Sequence, residues 1–385
     1  MERSSVNPLL ARLQPYPFER LRGLLAGREA HPGLRPIDLS IGEPKHPTPQ
    51  FIKDALLAGL DGLSVYPKTA GTEELRHVIA DWLALRYGIA RPDPLTQVLP
   101  VNGSREALFS FAQAVLRPGS RVLCPNPFYQ IYEGAALLAG AEPVYEEDVL
   151  ETKDWKGVEL AFVCSPANPT GRVLGMEDWK RLFELSDQHG FIIASDECYS
   201  ELYYGAPSVG GLEAANRLGR NYDRLVVFSS LSKRSNVPGM RSGFVAGDAA
   251  LLKSFLLYRT YHGSAMSVAI QKASVAAWRD ERHVEENRSL YAEKFRAALP
   301  RIAAPLEAAM PDGAFYLWMR TPIDDAAFAR GLYHQYNVLV LPGSFLARDA
   351  RGANPGRNRV RVALVASLAE CIEGVDRMMR FAKEL

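Results

Sequence analysis

The chain has little of what usually builds metal, disulfide or nucleic-acid sites. Its four cysteines, Cys124, Cys164, Cys198 and Cys371, are widely spaced and form no CxxC pair, which argues against a zinc ligand set or a disulfide framework. They read instead as small apolar residues in or beside strands. The seven histidines include no HExxH and no close pair at metal spacing, so no metal is expected. With 45 basic and 44 acidic side chains the formal net charge is +1, which removes the electrostatic case for nucleic acid or an anionic membrane. No apolar run approaches membrane-spanning length, and the opening Met1-Glu-Arg-Ser-Ser-Val-Asn-Pro8 has no signal core, so a cytoplasmic address is expected. No GxxxxGK[ST] loop, repeat or low-complexity tract occurs. Without a secretion signal, the glycosylation patterns at Asn102 and Asn287 are chance matches.

What is present is a regular alternation. A length of 385 residues allows one large domain with a smaller companion. Residues 72–87 read as an amphipathic helix with Leu75, Val78, Ile79, Trp82 and Leu83 on one face, Thr72 as N-cap and Glu73 and Glu74 at the positive end of the dipole. Short apolar runs at Val98–Val101, Val122–Cys124, Leu160–Cys164, Phe191–Ala194, Leu225–Phe228 and Gly243–Ala246 alternate with helical stretches at Arg105–Leu116, Gln130–Leu138 and Met176–Gln188. Such βα alternation predicts a mainly parallel sheet covered on both faces. In such sheets ligands gather beyond the carboxyl ends of the strands, where every candidate site residue is expected to lie. From about residue 286 the pattern changes. A helix at Asn287–Leu299, a segment Gly313–Met319, a helix at Asp324–Tyr336 and short strands at Val338–Leu341 and Arg359–Ala363 predict a smaller α/β domain. The expected division is 1–45 as a segment completing the small domain, 46–285 as the large domain and 286–385 as the small one.

Four segments carry possible chemistry. In Ser230-Leu-Ser-Lys233 and Gly239-Met-Arg241-Ser-Gly243, a lysine follows a buried strand, between a hydroxyl and an arginine. Burial lowers a lysine pKa, and a neutral amine is a nucleophile for a carbonyl. Ser230 and Arg241 are residue types that hold a phosphate. An aldehyde and a phosphate on one small molecule describe pyridoxal 5'-phosphate, while the plainer reading is a surface lysine before a turn. Asn102-Gly103-Ser104-Arg105 opens a helix after a strand, which makes either a phosphate cradle or an ordinary helix start. Pro166-Ala-Asn168-Pro169-Thr-Gly171 is a connecting loop or the place where Asn168 donates to an oxyanion. Asp196 stands just beyond the apolar run at 191–194. There it either caps the next turn or pairs with a pyridine nitrogen, with Tyr199 three residues on. The order of the four along one sheet weighs more than any one of them.

Together with Asp38-Leu-Ser-Ile-Gly42-Glu-Pro44, Tyr66-Pro-Lys-Thr-Ala-Gly71, Pro125–Tyr129 and Arg359-Val-Arg361-Val-Ala363, these segments resemble the fold-type I pyridoxal-phosphate-dependent aminotransferases of class I/II over nearly the whole chain. The resemblance implies a seven-stranded-type sheet and pyridoxal 5'-phosphate as cofactor. It makes Lys233 the Schiff-base lysine and places Asp196 at the pyridine nitrogen, with Asn168 and Tyr199 at the phenolic oxygen. Gly103, Ser104, Arg105, Ser230 and Arg241 surround the phosphate. Tyr129 stacks on the ring, with Phe128 as the alternative. Tyr66 reaches a phosphate across the interface of a homodimer. Gly42, Asn168 and Arg361 meet the substrate, with Arg359 and Arg357 as rivals of Arg361 for its α-carboxylate.

The segments Ile41–Pro49, Pro127–Ala135 and Tyr258–Ser264 are further similar to bacterial succinyldiaminopimelate aminotransferases, which exchange an amino group between N-succinyl-LL-2,6-diaminopimelate and 2-oxoglutarate. That substrate requires a second cation, for which Lys45 and Arg259 are candidates, each with an ordinary surface role as the alternative. An aspartate or broad-range aminotransferase and a carbon–sulfur β-lyase would share the same fold and cofactor residues.

Overall fold

The computed structural model of the protein describes residues 6–27 and 29–385. In chain order its strands are β1 Ile37–Asp38, β2 Val98–Val101, β3 Arg121–Pro125, β4 Glu142–Glu146, β5 Val158–Cys164, β6 Ile192–Asp196, β7 Leu225–Ser230, β8 Gly243–Gly247, β9 Tyr316–Arg320, β10 Val338–Leu339, β11 Leu341–Pro342 and β12 Arg359–Ala363. Seven of them form one sheet in the order β2-β8-β7-β6-β5-β3-β4. All neighbours in it are parallel except β8, which runs antiparallel to both β2 and β7. The amino end of β8 therefore lies at the same edge as the carboxyl ends of the other six.

Both faces of this sheet are buried, and the strand sequences show why. Side chains alternate across a strand. In β7, Leu225 and Val227 enter one core while Val226 and Phe228 enter the other. The first core is closed by helices at Gln50–Leu57, Glu73–Tyr87, Met176–His189 and Val268–Arg279, the second by helices at Ser104–Val115, Ile131–Leu138 and Ala249–His262. Helix Glu73–Tyr87 begins where its sequence predicts, with Thr72 Oγ1 accepting from Leu75 N at 3.3 Å. Strand β6 runs two residues further than its apolar core, so Asp196 is the last strand residue and not the first of the following turn. Cys124 and Cys164 lie in strands and Cys198 beside one, but Cys371 lies in helix Leu368–Lys383; all four are free.

A separate core gathers Ile37 and Leu39 with Phe295, Leu317, Met319, Phe328, Val360, Val362 and Met378. Its sheet is β11-β12-β9, antiparallel throughout, and β1 pairs in parallel with β10. Helix Arg282–Ala298 contributes Phe295 and Ala298 to this core. No helix among the described residues is long and apolar enough to cross a membrane.

Phe111 sits fully buried with its ring edge-on to Phe228 at 5.5 Å and Phe255 at 5.3 Å, and so joins β7 to two covering helices. Phe111→Ala should destabilise the fold by about 3–5 kcal/mol. The check is a lower urea midpoint at unchanged slope; an unchanged midpoint would mean the ring is not part of a packed core.

Candidate active site

A cavity of about 500 Å³ opens at the carboxyl edge of the large sheet, where the loop after β1 and the small sheet face it. The topology brings Ser104, Arg105, Tyr129, Asn168, Asp196, Tyr199, Ser230, Lys233, Arg241, Gly42 and Arg361 together in its wall. Gly103 is adjacent, its φ of +82° setting the turn into helix Ser104–Val115. A Cβ there would stand 2.3 Å from Arg241 Nη2, so only glycine lets the guanidinium lie against the first helical turn.

Lys233 follows β7 in the one-turn helix Leu231–Arg234. Its Nζ donates to the Gly42 carbonyl at 2.7 Å and lies 5.4 Å from the Phe315 ring centroid. Burial lowers its pKa to about 8, which makes the neutral amine accessible near physiological pH. Asp196 is buried in the same wall. Its Oδ2 accepts from Tyr132 at 2.8 Å and its Oδ1 from Cys198 N at 3.2 Å, so the residue both caps a turn and presents a carboxylate to the cavity. Burial raises its pKa against the pull of those bonds and of Lys233.

Arg361 arrives from the middle of β12 in the small sheet, not from a strand end of the large one. Its Nη1 donates to Asn168 Oδ1 at 2.9 Å and its Nη2 to Ser40 O at 2.8 Å, while its Nε has no partner. Because a guanidinium only donates, the bond fixes the Asn168 amide and leaves Nδ2 as its donor. Arg359 and Arg357 do not line the cavity.

Several residues outside the sequence reading complete the wall. Tyr316, diagonal to Arg361 across the β9–β12 ladder, lies 4.5 Å under its guanidinium and bonds Tyr199 Oη at 2.8 Å. A Cβ on Gly42 would fall 1.9 Å from Tyr316 Oη, which explains glycine at that position. Tyr132 does not line the cavity but supports it through its bond to Asp196; it is three residues from Tyr129, a spacing that places both on one face of a turn and was the available signal. Tyr16 and Phe18 enter from the start of helix Pro17–Leu25.

The two candidates for a second cation are corrected. Arg259 is neither exposed nor at the cavity. It is fully buried, donates to both Glu106 oxygens at 2.7 Å and to Ser264, and braces the helix that opens at Ser104. Lys45 is exposed and lies outside the cavity wall. Phe128 is buried against Tyr145 and Arg348 while Tyr129 lines the cavity, bonded to Arg105 Nε at 2.6 Å. Tyr66 is fully exposed and away from this wall. Ser235, His283 and Asp280 form a hydrogen-bonded row like a nucleophile relay, but Ser235 is buried and its Oγ also accepts from Arg234, so it serves packing.

The family profile "Aminotransferase class I and II" matches residues 35–377. The chain belongs to that family. A crystal structure of an aminotransferase from Neisseria meningitidis superposes with a TM-score of 0.95 at 52% identity, covering 98% of this chain and 100% of the other. An LL-diaminopimelate aminotransferase of Nitratidesulfovibrio vulgaris is 30% identical over 96% of this chain and 97% of its own length. A probable N-succinyldiaminopimelate aminotransferase from Thermus thermophilus gives a TM-score of 0.84 at 26% identity, covering 95% and 100% of the two chains. Relatives of comparable identity bear other specificities in their names.

The fold is that of the type I pyridoxal-phosphate enzymes, and pyridoxal 5'-phosphate is the cofactor. The site's residues fit it. The cavity offers a glycine-permitted helix N-terminus beside Arg241, hydroxyls at Ser104, Ser230 and Ser232, and a buried carboxylate suited to a protonated ring nitrogen.

A lysine condenses with an aldehyde only as its neutral amine. In protein stripped of cofactor, the rate at which added pyridoxal phosphate yields a visible chromophore should rise with a midpoint near pH 8, set by the lowered pKa, and Lys233→Ala should give no such chromophore. A midpoint near that of free lysine would mean the amine is not buried.

Proposed function

We propose that the enzyme transfers the amino group of N-succinyl-LL-2,6-diaminopimelate to 2-oxoglutarate. The supporting observation is a fourth cavity cation. Lys233, Arg241 and Arg361 have roles at the aldehyde, the phosphate and the substrate α-carboxylate, which leaves the side chain of Arg105. Its backbone belongs to the phosphate turn, but its guanidinium turns to the cavity mouth between Tyr16 and Tyr129. Among the described residues neither Nη has an acceptor, so the group is available to a second carboxylate. The Thermus relative's name agrees with this substrate.

Pyridoxal phosphate, when bound, supplies the electron sink for the α-carbanion. The protein's part follows from the residues. Arg361 grips the α-carboxylate with the donors that Asn168 and Ser40 leave free, and orients the α-C–H bond toward Lys233. Lys233 Nζ takes that proton and returns it one carbon away. Asp196 holds a proton on the ring nitrogen through its buried carboxylate. Tyr199 and the Asn168 amide serve the phenolic oxygen, and Tyr129 covers the ring. The units we assign are 46–285 for the cofactor and 286–385 with 1–45 for the substrate side; the shared core of Ile37 and Leu39 with the C-terminal strands supports this.

Arg105→Ala should lower kcat/KM for the succinylated donor by roughly ten- to a hundredfold, the worth of a charge-assisted contact of about 1.5–3 kcal/mol. Alanine as donor should be nearly unaffected. The panel compares succinylated diaminopimelate, free diaminopimelate, acetylornithine and aspartate at equal concentration with 2-oxoglutarate. If aspartate gives the highest kcat/KM, the enzyme is an aspartate aminotransferase; pyruvate release from cystathionine would make it a lyase.

A homodimer with shared sites is the assembly we propose. Tyr66 is fully exposed and follows exposed Leu57, Leu60, Leu63 and Val65, an apolar row suited to a partner. Mixing Tyr66→Ala with Lys233→Ala, each checked to be severely impaired alone, should restore part of the activity, because one site of each hybrid is then intact. No recovery despite proven subunit exchange would exclude a shared site.

A further inference from the structure

Behind the lysine turn runs a row of polar side chains to which the roles above assign nothing. The helix Leu231–Arg234 is a single turn, so its last carbonyls have no donor within it. Asn287 Nδ2 provides one, donating to Lys233 O at 3.0 Å and Arg234 O at 3.4 Å. With its nitrogen so used, the Asn287 amide accepts through Oδ1 from Asn236 Nδ2 at 3.0 Å and from His46 Nδ1 at 2.8 Å. The proton of His46 is therefore on Nδ1. Its Nε2 is left bare and accepts from Lys294 Nζ at 2.7 Å, while Lys294 also donates to Val365 O at 3.3 Å.

Each member thus fixes the donor or acceptor role of the next, and the row has one arrangement. Asn287 and Lys294 are buried, seven residues apart on one face of helix Arg282–Ala298. Between them Tyr291 packs on the His46 ring at 4.5 Å. The same loop meets the lysine from the other side. Gly42 O accepts from Lys233 Nζ, and Thr48 Oγ1 donates to Asn236 O at 2.8 Å. Residues 42–48 hold Lys233 by its amine directly and by its carbonyl through Asn287.

We propose that Asn287, oriented by His46 and Lys294, is a positioning residue that fixes the main chain of Lys233 and thereby the path of its amine between the two carbons it serves. The proposal rests on Lys233 as the reactive lysine. Asn287→Leu keeps the volume and removes both donors. Its kcat should fall about ten- to a hundredfold with KM little changed. The pH midpoint of the visible absorbance of the lysine-bound cofactor should also move from the wild-type value. His46→Phe should show the same split, and His46→Gln, which retains one donor and one acceptor, should recover most of the lost kcat. A folded Asn287→Leu with wild-type kcat and an unmoved midpoint overturns the proposal. Should Asn287→Leu not fold, equal kcat for the two His46 variants overturns it instead. Borohydride reduction of the loaded wild type with peptide mass mapping separates the two ideas. Cofactor fixed to another lysine removes the reading of Lys233; cofactor on Lys233 with an insensitive Asn287 removes only the positioning role.

Discussion

The hydrogen bond from Lys233 Nζ to the Gly42 carbonyl joins positions 191 residues apart, and much of the site depends on it. One end belongs to the turn after β7 of the large sheet, the other to the loop that leaves the small core. Burial is what depresses the lysine's proton affinity, helped by the positive charges of Arg361 and Arg105. A carbonyl is neutral, so the amine is held without being locked into its charged form. A carboxylate in the same place would hold it more tightly and keep it protonated, unable to accept a proton.

The cavity is otherwise weighted toward positive charge. Arg105, Arg241 and Arg361 share it with Lys233, against Asp196 and Glu43. That imbalance suits ligands carrying a phosphate and several carboxylates, and such ligands return the favour by neutralising it. Arg259, a buried arginine that does not face the cavity, is matched by Glu106 within its own surroundings.

The central strands were legible because burial on both faces demands continuous apolar runs, as in Leu225–Phe228 and Leu160–Cys164. Strand β4 was not, because it is an edge strand whose Glu142, Pro143 and Glu146 resemble a loop. Lys233, Asp196 and Asn168 could be placed because each ends or follows a strand of one sheet. Arg361 could not be told from Arg359 by pattern: period two puts both on one face, and only the position along β12 brings Arg361 to Asn168. The misreading of Arg259 has a similar origin, since a helix with mixed polarity gives no sign of which side its one buried guanidinium takes. Tyr16 and Phe18 lay beyond local reasoning, because nothing near them in sequence shows that the chain start folds over the cavity.

The reversed direction of β8 puts Lys233 and Arg241 on a single connection between adjacent strands, so the anchor and the phosphate counter-charge proposed for them belong to one unit. Other side chains of the cavity wall, among them Arg361, Tyr316, Tyr16 and Phe18, hang on elements outside that connection. Their replacement leaves the anchor's geometry alone. A scaffold partitioned in this way can exchange one amino acid for another as its customer while the machinery that breaks the bond stays in place, which offers a physical route to relatives of like shape and unlike name.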